Sequence, residues 1–157
     1  MTQLFESTSP EVVHIKDTFT TRAKQWKVLR IDRPSRLGNP FPVGFPLTVQ
    51  GALTCLAKVH WWREVLSSER LEQTLPRCYQ LAKAQTTLSR EQAIELFREL
   101  WSYSREQGFI LDNEILNLAG KKLACHCKPR KCHGDIIVDD FIKLKQKVEK
   151  NHEHGTV

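Results

Sequence analysis

Apolar and polar positions change period several times along the chain, and each change predicts an element. Residues 11–16 (EVVHIK) read as a short strand. Residues 26–32 (WKVLRID) alternate, with Val28, Arg30 and Asp32 opposite Leu29 and Ile31, and read as a second strand. The polar DTFTTRAKQ between them is a loop, so an early hairpin is one expected pairing. Residues 33–46 hold four of the seven prolines and two of the seven glycines, a density that no regular element survives. Thr48 can cap a helix over residues 49–66 with an apolar face of Val49, Ala52, Leu53, Leu56 and Val59, joined by Trp61 or Trp62.

Ser67 and Ser68 break that pattern, and residues 69–85 read as helix interrupted near Pro76. Ser89 and Gln92 have the spacing of a capping box for a helix over residues 90–107, with Ala93, Phe97, Leu100 and Trp101 as its buried stripe and Gly108 as its stop. Asp112 can cap a short helix carrying Ile115, Leu116 and Leu118, which Gly120 ends. Residues 122–127 (KLACHC) read as a third strand. The last helix runs from about Gly134 to Lys150, with Ile137, Phe141, Leu144 and Val148 at helical spacing.

These elements predict a small single α/β domain over residues 1–157. It has Rossmann-like strand–turn–helix elements and a short sheet of about three strands packed by several helices. The core spans about residues 11–148, the helical middle (68–107) reads as an enlarged insertion, and residues 1–10 and 151–157 read as loose termini.

Composition narrows the function classes. No apolar run is long enough to span a membrane, and the polar N-terminus lacks the apolar stretch of a secretory signal, so a cytoplasmic protein is expected. A net charge of +6 favours an anionic partner: a small phosphorylated molecule first, nucleic acid as the alternative. Five cysteines, an odd number, suit thiols, ligands or core residues better than a disulfide framework. Cys55 and Cys78 lie in apolar helical surroundings and read as core.

The other three cysteines crowd into LACHCKPRKCHGD, residues 123–135. Three readings stay open. In the first, Cys125, Cys127, Cys132 and His133 form a Cys₃His zinc set. The third strand counts against it, because ligands at i and i+2 along one face chelate poorly. In the second, a helix N-terminus meets a phosphorylated or nucleotide-like ligand. Gly134 admits the ligand, Lys128, Arg130 and Lys131 supply charge, Cys132 is the nucleophile, His133 shuttles a proton, and Asp135 acts as base or merely favours the helix start. In the third, Cys125 and Cys127 pack under the turn and Pro129 shapes it.

Two motifs together resemble a known family. Arg33, Ser35, Gly38, Asn39, Pro40 and Phe41 match an Arg-x-Ser-x-x-Gly-Asn-Pro-Phe loop. Gly120, Lys121, Leu123, Cys125, Cys127, Lys128, Pro129, Cys132, His133, Gly134 and Asp135 match a C-terminal Cys-x-Cys-x-Pro-x-x-Cys-His-Gly-Asp signature. Both belong to the uncharacterised bacterial and phage family called domain of unknown function 4326. Leu37 and His126 stand where that family usually has tryptophan, and the helical middle is longer than in typical members. The resemblance implies a small α/β fold and supplies no reaction.

It also suggests that the two motifs form one site, with Arg33, Ser35, Gly38 and Asn39 as ligand-binding residues beside Cys132, His133 and Asp135. Arg33 would clamp phosphate. Asn39 would read a polar edge or, equally, form an Asx turn preset by Pro40. Three functions follow: binding of a phosphorylated or nucleotide-like ligand, with hydrolysis or group transfer as a further step open to it; a zinc-stapled nucleic-acid-binding module; and a phage- or defence-related interaction protein in which Trp61, Trp62 and Trp101 either anchor a partner or, as the plainer reading, pack in the core.

Overall fold

The computed structural model describes residues 8–33, 35–58 and 67–154. Pro34, Val59, Trp61, Trp62 and the end of the expected first helix lie outside the described residues. The chain forms two compact units: one of Met1–Arg30 with Ile110–Val157, the other of the intervening Ile31–Phe109.

The first unit holds β1 (Glu11–His14), β2 (Val28–Arg30), β3 (Lys122–Cys125), α5 (Asp112–Leu116) and α6 (Gly134–His154). The second holds α1 (Val49–Ala57), α2 (Ser68–Thr74), α3 (Pro76–Lys83) and α4 (Arg90–Glu106). The mixed α/β class expected from the alternating and helical patterns is what forms.

The three strands make one parallel sheet in the order β1-β3-β2. Val12 faces Leu123 on one side of β3, and Leu29 faces it on the other. The early hairpin is therefore overturned: β1 and β2 never pair with each other. The thirteen residues between them form two 3₁₀ turns, Ile15–Phe19 and Arg22–Gln25, a connection long enough to cross over between parallel strands. Those turns also shorten both strands. Ile15 already belongs to the first turn, and His14 Nδ1 caps it by accepting from the Lys16 N–H at 3.0 Å. Val13, Ile15 and Ala124 are buried together. On α6, Ile136, Ile137, Phe141 and Leu144 face inward. The helix continues past the expected stop near Lys150 to His154.

In the second unit the cap and stop signals act as read. Ser89 Oγ accepts from the Gln92 N–H and Gln92 Oε1 from the Ser89 N–H, closing the capping box of α4. Ala93, Phe97, Leu100 and Trp101 are all buried. Pro76 separates α2 from α3 and supplies no N–H at the start of α3. The next two N–H groups, of Arg77 and Cys78, are instead accepted by the two carboxylate oxygens of Glu99, at 3.0 and 3.1 Å. Gly108 and Gly120 follow their helices with positive φ, as the stop readings require. Asp112 is not the cap of α5 but its first residue; Glu114 accepts from the Leu111 N–H instead.

Candidate metal centre

The segment after β3 departs from the sequence reading in one decisive way. The strand ends at Cys125, so Cys127 is not a strand residue and the two cysteines do not share a strand face. Beyond Cys125 the backbone turns. The Arg130 N–H donates to Cys127 O at 3.0 Å across a cis Lys128–Pro129 bond, which is a type VI turn. Released from the extended conformation, Cys127 Sγ comes within 3.5 Å of Cys125 Sγ.

The turn then delivers Cys132 and His133 to the same point. Cys132 Sγ lies 3.7 Å from His133 Nδ1. The four ligand atoms of Cys125, Cys127, Cys132 and His133 all fall within 4.8 Å of one another. Around a tetrahedral zinc, sulfurs at about 2.3 Å and a nitrogen at about 2.1 Å stand about 3.6–3.8 Å apart. The spacings of 3.5 and 3.7 Å lie close to that figure, and the remaining separations stay within 4.8 Å. Four protein donors this close together can converge on one zinc ion.

Burial agrees with a ligand set. Cys132 and His133 are 1% and 3% exposed and Cys125 is 3% exposed, while Cys127 is half-buried. Hydrogen bonding from Cys125, then from Cys132 and His133, pushes the Cys127 thiol well below its ordinary value. Cys132 is pushed up by Cys125, Cys127 and burial, against the opposing pull of the Gly134 N–H.

The start of α6 explains the order Cys-His-Gly-Asp. Cys132 stands just ahead of the helix: its Sγ accepts from the Gly134 N–H at 3.4 Å, and Asp135 Oδ2 accepts from the Cys132 N–H at 3.1 Å. The sulfur thus takes one of the N–H groups that a helix start leaves unpaired, and the carboxylate ties the first turn back to the chain before it. Asp135 Oδ1 also takes Lys128 Nζ at 2.8 Å. The Cys132-to-Asp135 spacing of three residues is the sequence signal for this arrangement, and one that residue types alone leave hidden. Arg130 and Lys131 stand exposed at the turn, and Lys128 is half-buried in its ion pair.

The Gly-Asn-Pro-Phe loop lies in the other unit. Ser35 N–H donates to Asp32 O at 2.8 Å and Gly38 N–H to Ser35 O at 3.0 Å, two successive turns. A side chain on Gly38 would stand 2.8 Å from Asp32 O, so only glycine fits that coil. Asn39 Oδ1 accepts from the Phe41 N–H at 3.0 Å, the Asx turn, and its Nδ2 donates to Ala93 O at 2.9 Å. Phe41 is fully buried. The Ser35 hydroxyl is buried without a hydrogen-bond partner, and Arg33 is exposed. Asn39 and Gly38 thus hold the loop in shape.

Comparison with known proteins agrees with the two motifs. The model of the family described as domain of unknown function (DUF4326) matches residues 13–143. An uncharacterized 12.4 kDa protein in the nrdA-td intergenic region of Enterobacteria phage T4 is 47% identical over 49 residues, 31% of this chain and 45% of that protein. The chain thus matches less than half the length of that relative. No solved structure matches it.

Proposed function

This chain belongs to the family described as domain of unknown function (DUF4326), and from that premise, which brings no reaction with it, we propose that it is a zinc-binding α/β protein. Cys125, Cys127, Cys132 and His133 hold the ion, and the ion staples the end of β3 to the start of α6. The carrying observation is the convergence of four ligand atoms within 4.8 Å. A set with all four positions filled by protein is the structural kind, which contributes to folding instead of activating water. Thiolate ligands suit a reducing compartment such as the cytoplasm.

Metal analysis of freshly purified protein tests this: one zinc per chain is expected, with a lower melting temperature on chelation. A folded, metal-free protein that takes up no zinc when it is added refutes it.

A second reading, an anionic partner, draws on a separate observation. Arg130 and Lys131 project from the turn that carries the cluster, and Lys24, Lys27 and Arg30 are exposed in the same unit. With a zinc staple as scaffold, nucleic acid is the partner these charges suit best. Titrating labelled single- and double-stranded oligonucleotides at several salt concentrations would reveal it. Replacing Arg130 and Lys131 with alanine should reduce the salt slope by about one for each phosphate no longer neutralised. No salt-dependent binding to any oligonucleotide refutes it.

Chemistry on a phosphorylated ligand by Cys132, His133 and Asp135 has weaker support. The first two are buried among sulfurs, and the third is engaged by Lys128 and the Cys132 N–H.

A further inference from the structure

The geometry points to Asp135 and Lys128 as positioning residues for the metal: their ion pair clasps the turn between Cys127 and Cys132 and so sets how tightly zinc is held. This rests on the zinc reading above. The four ligands come in two pairs separated by the turn, Cys125 and Cys127 before it, Cys132 and His133 after it. Lys128 follows Cys127 directly, and its ammonium reaches across to Asp135 Oδ1 at 2.8 Å. The other carboxylate oxygen holds the Cys132 N–H at 3.1 Å, while the Cys132 sulfur is oriented by the Gly134 N–H at 3.4 Å. One carboxylate thus fixes both sides of the turn.

Charge makes the two residues interdependent. Three thiolates and a neutral imidazole around a divalent cation carry a net negative charge. A carboxylate beside them is tolerable only while Lys128 neutralises it. Removing the lysine alone therefore leaves the carboxylate working against the site. Removing both charges, with an asparagine oxygen still accepting from Cys132, relieves part of that penalty. The two substitutions must be coupled.

The test uses the full chain and zinc itself, with affinity read by competition against a chromophoric chelator and the ligand field read by cobalt substitution. Asp135→Ala should weaken zinc about 10–100-fold, the usual effect of removing an outer-shell partner. Lys128→Met should weaken it as well, and Lys128→Met with Asp135→Asn should bind more tightly than Lys128→Met alone. The cobalt absorption bands of Asp135→Ala should shift as Cys132 reorients. A residue that merely stabilised the fold would lower the melting temperature and leave those bands in place. Should Asp135→Ala not fold without metal, the asparagine and methionine variants carry the test through their coupling. Wild-type affinity and spectra in the variants, or strictly additive effects, overturn the inference while leaving the zinc site standing. A wild-type protein that takes up no zinc removes both.

Discussion

Replacing Cys132 with serine separates two jobs that one sulfur performs. Cys132 Sγ is both a member of the four-ligand cluster and the acceptor of the Gly134 N–H at the start of α6. A serine hydroxyl is a strong helix cap and a poor zinc ligand; an alanine is neither. In chelator, where only capping counts, Cys132→Ala should be less stable than Cys132→Ser by about 1 kcal/mol, the usual value of a cap. In zinc the order changes. At free zinc about a thousandfold above Kd, the wild type gains about 4 kcal/mol. For a chain of this size that is about 8–16 °C in Tm, and both variants should lose most of it. Calorimetry with and without zinc gives all six values. If Cys132→Ser gains as much from zinc as the wild type, Cys132 is not a ligand. If the two variants melt together in chelator, the sulfur does not cap the helix.

Two further outcomes follow from the second unit. Gly38→Ala should destabilise by about 1–3 kcal/mol in urea titration, because the added carbon meets Asp32 O at 2.8 Å and Ser35 O at 3.1 Å, backbone atoms that cannot rotate aside. Gly44, with nothing within 4 Å, offers no such clash. Burial, then the nearby Glu99 and Cys55, push the Cys78 thiol up from 9.0 to about 12. Its contribution is complete below the unfolded value near 9 and is lost as pH rises toward 12. Stability should fall with a slope approaching about 1.4 kcal/mol per pH unit in that window. Cys78→Ala should flatten the slope; an unchanged slope would place its cause elsewhere.

Local signals are legible in the chain and long-range ones are not. Ser89 and Gln92, Pro76, Gly108 and Gly120 act within a few residues, so their effect on α4, α3 and the stops can be read from the residues alone. Strand pairing is not written in periodicity: Leu29 and Val12 look equally ready to pair with each other, yet both take Leu123. Asn39 shows the limit inside one side chain. Its bond to Phe41 is foreseeable from Pro40; its bond to Ala93, 54 residues away, is not. In the cysteine segment the residue types suggest zinc, while alternation in KLACHC argues against it. The strand's early end at Cys125 removes that objection, and nothing in the alternation announces where pairing stops.

The sheet order carries a consequence for how the chain is made. Among the described residues β1 and β2 pair only with β3, whose first residue lies 111 positions after its partner Glu11. During synthesis both early strands must therefore wait, unpaired, while the whole of Ile31–Phe109 emerges. The second unit is continuous and can fold in the meantime. Cys125 closes the strand that both others await, and Cys127, Cys132 and His133 leave the ribosome directly after it. A chain halted between Arg30 and Lys122 has two of the three described strands and no sheet.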